Sequence, residues 1–598
     1  MDRRTVLRAG IAAALTSSLP SIAAAQADND LARLLQLLTE DYLRSSPREA
    51  TQFEFDVGDN AGLRSQLDDV SLAASDKNKK AAAVAVEQLS LIDRGKLSSA
   101  SKLDYDTATF VFATLKDQLG RYGTVDIDLR PSPYPVSQMN GAYYWLPDFI
   151  GSNHPLQSKQ DLDAYFSRLN ALGVVLDQET ERIRHDAGSG VIPPSFVIAK
   201  TNAQIEALRD TAPAQTAMIA PAIERAKAKG LGDIAVQAEA IFRKAIVPAL
   251  DRQIQTLQSL RPKAKDSAGV WALPDGDAYY AAALLSNTTT SIAAGELHRK
   301  GLQRVADITA QLDQGLRQQG LKSGSVGERI KLLNVDKRFL VPDDDAGRKQ
   351  LLSAAQSMID AIRALLPRGF QTIPKDQLLV KRIPVAIENG APGAFYSDGV
   401  GDQPGTFSLN LKTPSELPLW RLPTLAHHEA IPGHHFQYSV LKSAGQLSMF
   451  RRLVRFSAYT EGWALYAERV ADELGIYENN PAGRLGLLQS ELFRAARIVV
   501  DTGIHHHRWT REQATQWMID NAGEAPIGAQ REIDRYCVYP GQACSFMVGA
   551  MEIRAARERA RQRLGNRFDV RAFHDLVLRS GPVPIDVLNA AVDQWRPG

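Results

Sequence analysis

The chain has 598 residues, 44% hydrophobic and 23% charged, with 42 Gly and 30 Pro. That length can bury a large core in more than one lobe, and the composition excludes a disordered, collagen-like or disulfide-stapled chain. Lys and Arg number 70 against 68 acidic residues, a near-balance that gives no general attraction to nucleic acid or anionic lipid.

Residues 1–27 read as an export signal. Arg3-Arg4 precedes a modestly apolar run from Ala9 to Ala25, and Ala25-Gln26-Ala27 supplies a small-residue cleavage site. Gly10, Thr16, Ser17, Ser18, Pro20 and Ser21 interrupt the run, whereas a membrane anchor needs about 20 strongly apolar residues. The arginine pair resembles a twin-arginine signal, with Sec export as the alternative. The mature chain is therefore expected in the periplasm or secreted, with no membrane partner once the signal is removed.

Helix is expected nearly everywhere beyond this point. Leu31-Leu34-Leu35-Leu38, Leu162-Tyr165-Phe166-Leu169-Leu172 and Ile308-Leu312-Leu316 keep the three-or-four spacing of a one-sided apolar stripe. Leu129 to Pro133, Ile192-Pro193-Pro194 and Leu260-Arg261-Pro262 break the pattern as turns. Tyr134, Met139, Tyr143, Tyr144 and Trp145 form an aromatic group that reads as core or as cleft lining. Between about Leu378 and Leu411 the pattern changes, and Phe407-Ser408-Leu409-Asn410-Leu411 alternates as a strand should. The expected architecture is mainly α, with an N-terminal helical lobe over 28–375 and a second lobe over 376–598 that contains the small sheet. Walker-type loops and a G-x-S-x-G elbow are missing from the sequence.

Seven of the 11 histidines fall between positions 427 and 507. His428-Glu429 starts like a zinc-peptidase helix, in which two His at i and i+4 share a face and the intervening Glu is the base. Here the next histidines are His434 and His435, and neither pairs with His428 around one ion on an unbroken helix. Pro432 lacks the N–H owed to the carbonyl of residue 428, and Gly433 tolerates unusual backbone angles. A two-residue bulge at this point returns His434 to the position of a second ligand, with His435 as the alternative. Further on, Glu461, Glu468 and Asp472 share one helix face. Glu461 is the expected third ligand, and Glu468 is read as orienting a ligand histidine or pairing with an Arg.

The stretches His428-Glu429-x-x-Pro432-Gly433-His434-x-x-Gln437, Thr460-Glu461-Gly462-Trp463-Ala464-Leu465-Tyr466, Asp501-Thr502-Gly503-Ile504-His505 and Arg535-Tyr536-x-x-x-Pro540-Gly541-Gln542-Ala543 together resemble the bacterial domain-of-unknown-function family number 885. That family is similar to thimet-type zinc oligopeptidases, which implies two helical lobes around a deep cleft, a zincin-like site, one Zn2+ held by His428, His434 and Glu461, and Glu429 as general base. The expected function is hydrolysis of peptide bonds in short peptides. A non-catalytic metal- or peptide-binding protein and a zinc hydrolase of another amide, such as a cell-wall fragment, are the alternatives.

In such a reaction a donor stabilises the oxyanion. His505, oriented by Asp501, and Tyr536 or Tyr539 are the candidates. Arg535 is read either as an anchor for a substrate carboxylate or as an ion-pair partner of Asp501 or Glu532. The strand containing Phe407 and Asn410 is read as an edge for an extended peptide or as an ordinary hairpin strand. Cys537 and Cys544 are expected as two buried, unpaired thiols, because on a continuous helix seven residues separate Cα atoms by about 10 Å.

Overall fold

The computed structural model describes residues 22–597, apart from 127, 386–387, 389–391, 400–402 and 446. Most of the expected export segment lies outside the described residues, and residues 22–27 open the helix Ile22–Ser45. The fold is mainly helical, as the apolar spacing predicts. In α1 (Lys159–Gly188) a capping box between Ser158 and Asp161 starts the helix, and Leu162, Tyr165, Leu169 and Leu172 form its buried face. They pack with α2 (Val247–Leu260) in an apolar cluster drawn from residues 136–260. A second, larger cluster joins residues as far apart as Leu31 and Val592, so apolar packing runs across residue 375. The stripe Ile308-Leu312-Leu316 is fully buried there. Among the described residues no helix is long and apolar enough to cross a membrane.

The region that loses helical spacing forms a three-stranded sheet. Its strands are β1 (Leu378–Arg382), β2 (Ala394–Ser397) and β3 (Gly405–Leu409), in the order β1-β3-β2. Val380 and Tyr396 flank Phe407, with β1 parallel and β2 antiparallel to β3. This corrects the expected peptide-binding edge: β3 is the central strand, so both of its backbone edges are already paired. Phe407 is fully buried in the core, and the Asn410 side chain donates to the Glu388 carbonyl at 2.8 Å. Part of the break expected at Leu129–Pro133 is also strand, since Pro131–Ser132 pairs with Thr124–Val125.

Six helices surround the histidine cluster: α3 (Leu422–Glu429), α4 (His434–Ser443), α5 (Ser457–Glu473), α6 (Pro481–His505), α7 (Pro526–Tyr536) and α8 (Ser545–Leu564). Backbones of α5 and α8 approach closely through Gly462 and Gly549; a Cβ on Gly549 would meet the Ala458 carbonyl oxygen at 1.8 Å. Cys537 and Cys544 are unpaired and buried in the turn between α7 and α8, where Gly541 takes φ +80°.

Candidate metal centre

The Pro432-Gly433 turn separates α3 from α4, a larger departure than the bulge expected within one helix. The helix ends at Glu429, the Ile431–Pro432 peptide is cis, and a new helix starts at His434 with the Gln437 N–H on the Gly433 carbonyl at 2.9 Å. Gly433 is required here because a Cβ would lie 1.9 Å from the His428 carbonyl oxygen and 2.4 Å from that of His427. The Trp463 indole donates to the Pro432 carbonyl at 3.0 Å, tying the turn to α5.

This turn brings His434 to His428, with ring centroids 5.0 Å apart. Glu461 Oε2 stands 3.5 Å from Nε2 of both histidines, and one ligand atom from each residue lies within 4.8 Å of the others. Donors about 2.0–2.1 Å from a tetrahedral centre lie about 3.4 Å apart, so the two imidazoles and the carboxylate could hold one divalent ion. Two His and one carboxylate suit zinc among such ions. The seven-residue spacing on α5 also places Glu468 Oε1 2.7 Å from His428 Nδ1. His428 is thus flanked by carboxylates on both nitrogens. Burial disfavours its charged form, yet hydrogen bonds to Glu461 and Glu468 and the charge of Glu429 raise its pKa to about 10. Burial likewise opposes ionisation of Glu461, but His428 and His434 hold it well below the usual carboxylate range. The site therefore has a strong demand for positive charge. Glu429 is 8% exposed, and its carboxylate takes no hydrogen bond among the described residues.

The neighbouring histidines face elsewhere. His427 Nδ1–H donates to the Ile431 carbonyl at 3.0 Å, and burial pushes its pKa down to about 4. His435 pairs with the Tyr396 hydroxyl at 3.3 Å and the Asp376 carbonyl at 3.4 Å. Asp472 pairs with Arg469 and Arg484.

The structure corrects the oxyanion candidates. His505 is fully buried; its Nδ1 accepts the Val270 N–H at 3.1 Å and its Nε2–H donates to the Tyr536 carbonyl at 3.0 Å, so no ring nitrogen is left for a substrate. Burial holds its pKa down near 4. Asp501 accepts from the Tyr280 hydroxyl at 2.6 Å and from the Gly541 N–H at 3.1 Å, rather than from His505. The Tyr536 hydroxyl donates to Glu532 at 2.8 Å, and the Tyr539 hydroxyl donates to the Met139 carbonyl at 2.7 Å. Arg535 pairs with Glu532 at 2.7 Å, one of the two ion-pair partners named for it, while its Nη1 donates to the Gln542 oxygen at 3.2 Å.

Two features have no sequence signal of their own. Gln437, inside the motif, is 4% exposed, and neither of its amide atoms has a hydrogen-bond partner among the described residues. A cavity of about 1140 Å³ is lined by Asp128, Arg130, Trp145, Arg455 and Tyr539 among others, and its walls exclude the metal-site residues. Burial raises the pKa of Tyr438, with Arg455 opposing and Glu461 adding to the shift. Of the N-terminal aromatic group, Tyr134 and Tyr143 are core, while Tyr144 and Trp145 are exposed.

A crystal structure described as a "putative lipoprotein" from Colwellia psychrerythraea matches with a TM-score of 0.88 at 32% identity, covering 95% of this chain and 99% of that chain. A second, described in the same terms and as of unknown function, from Shewanella oneidensis, shares the fold with a TM-score of 0.72 at 18% identity, over 94% of this chain and 99% of that chain. A comparison with curated proteins finds no match. Residues 47–592 match the family model described as bacterial protein of unknown function (DUF885), and the chain belongs to that family.

Proposed function

We propose that this protein is an exported zinc-dependent peptidase acting on short peptides, with two helical lobes around a deep zincin-like cleft. The observation that carries the reading is the 3.5 Å approach of Glu461 to both His428 and His434, with Glu429 next to the first of them. His428, His434 and Glu461 would hold the ion. Bound there, zinc supplies Lewis-acid polarisation of the scissile carbonyl and lowers the pKa of water to about 7. Glu429 takes the proton as water attacks and delivers it to the departing amine nitrogen. A carboxylate already engaged in hydrogen bonds would be a poorer base, and that of Glu429 is unengaged among the described residues. Glu468 fixes the ring of His428 through Nδ1, keeping Nε2 turned toward Glu461. The export signal in residues 1–27 and the description of both structural relatives as lipoproteins support placement outside the cytoplasm.

The test is Glu429→Gln, which keeps side-chain shape but cannot act as a base. Zinc content and peptide binding should survive while turnover, read by mass spectrometry of a peptide digest, falls about 10²- to 10⁴-fold. Near-normal turnover in the zinc-loaded variant would reject this role. An intact protein that binds zinc but cleaves no peptide would favour the binding-protein reading.

A further inference from the structure

The helices packed on those of the metal centre hold more positive charge than the proposed chemistry uses. Arg494 and Arg497 come from α6, Arg535 from α7, and Arg421 from the position just before α3. Glu524, Glu532 and Asp501 are carboxylates that act on this group. Glu532 is committed, accepting Arg535 Nη2 at 2.7 Å and the Tyr536 hydroxyl at 2.8 Å. Among the described residues no carboxylate makes an ion pair with Arg421, Arg494 or Arg497. The Nε donors of Arg494, Arg497 and Arg535 are all buried without an acceptor.

Arg497 is the centre of this imbalance. It is 4% exposed, and its guanidinium lies 4.0 Å over the ring of Phe546. Its Nη2 and Nη1 of Arg535 converge on the single neutral oxygen of Gln542, at 3.4 and 3.2 Å. Burial pushes its pKa down, Tyr536 and Glu532 act against that, and the neighbouring Arg535 and Arg494 add to it. A buried cation that makes no direct ion pair is costly, and guanidinium forks are suited to carboxylates. The group is also joined to the metal centre. Phe546 follows Ser545, whose hydroxyl lies 2.8 Å from that of Ser457, and Glu461 stands about one helical turn further along α5.

We propose that Arg497 and Arg535 form a carboxylate subsite that holds the C-terminal carboxylate of the peptide whose scissile bond lies at the metal centre. This rests on the peptidase reading and adds a substrate class to it: short peptides with a free C-terminus, cleaved near that end. Arg535, 23% exposed at its side chain, is the accessible side of the subsite, and Arg497 is its buried floor.

The experiment is isothermal titration of the full Glu429→Gln chain with acetyl-Ala-Ala-Phe and with its C-terminal amide. The acid should bind about tenfold or more tightly than the amide, and sulfate should compete with it. Arg497→Gln and Arg535→Gln, with circular dichroism to check folding, should each abolish the preference; Arg497→Lys keeps the charge without the fork and should retain part of it. Equal affinity for acid and amide in the Glu429→Gln chain, a preference that survives in both Gln variants, or sulfate binding without acid binding would each overturn the subsite. The two proposals fail separately. Discrimination without cleavage by the zinc-loaded parent leaves the subsite and removes the peptidase, while cleavage indifferent to amidation does the reverse.

Discussion

Gly433→Ala tests the geometry on which the metal centre depends. The added Cβ would sit 1.9 Å from the His428 carbonyl oxygen, where ordinary contact begins at 3.4 Å. The end of α3 and the start of α4 must then separate by about 1.5 Å, and relieving such overpacking costs about 1–3 kcal/mol. Metal–ligand distances tolerate only about 0.2 Å, so His428 and His434 can no longer share an ion with Glu461. Zinc affinity, measured by competition with a chelator, should fall by about 100-fold or more, and the urea midpoint of the metal-free protein should drop as well. Gly188→Ala is the control, because nothing lies within 4 Å of its added Cβ. Parental zinc affinity in Gly433→Ala would refute the argument that this turn places a ligand.

Glu468→Gln should weaken zinc binding by about 10- to 100-fold, because it removes the charge that orients His428, whereas His435→Ala should leave zinc content unchanged; the opposite pattern would exchange the roles of His434 and His435. Asp501 has its pKa raised by burial from 3.8 to about 7 against the hydrogen bonds from Tyr280 and Gly541. The folded state therefore binds this proton more strongly than the unfolded chain, a contribution to stability present below about pH 4 and lost as pH rises through about 7. Asp501→Asn should flatten that part of the urea-midpoint profile between pH 4 and 8, and an unchanged slope would refute it. Arg3→Lys with Arg4→Lys should block export by the twin-arginine pathway, and an unchanged periplasmic yield would point to Sec.

Where local spacing decides the outcome, the fold was legible from sequence. The stripe in α1 and the run Ile308-Leu312-Leu316 needed only periodicity, because each helix buries one face whatever it packs against. The small sheet was legible as strand, since Phe407 to Leu411 alternates, but its strand order was not. Placing β3 between β1 and β2 depends on a parallel pairing across more than 20 residues, and turn chemistry does not encode such a crossover. Packing across residue 375 was hidden for a similar reason: Leu31 and Val592 share a core through contacts that leave no mark in nearby sequence.

The same distinction separates the candidate site residues. His428, His434 and Glu461 come together through one turn and one helix face, both visible as Pro432-Gly433 and as the spacing of Glu461 and Glu468. His505 was selected by residue type, and its chemistry is decided by the Val270 N–H, 235 positions away, and by the Tyr536 carbonyl, which together occupy both nitrogens. Arg535 likewise has its near partner in Glu532, one turn earlier on α7. Arg497 shows what residue type does carry: an arginine inside Ala495-Ala496-Arg497-Ile498-Val499-Val500 signals burial, because every neighbour in that run is apolar. Only the folded chain shows that the burial comes without an ion pair among the described residues. A cation held in that state has to be balanced by a neighbour's lowered affinity for protons, by its own lost charge or by a ligand's negative charge. Guanidinium keeps its proton; Glu532, held ionised in part by the charge of Arg497, spends its hydrogen bonds on Arg535 and Tyr536, and Asp501 spends its own on Tyr280 and Gly541. The Arg497 fork is thus left without a direct carboxylate contact, which a ligand anion would supply, and the acid-against-amide titration is aimed at it.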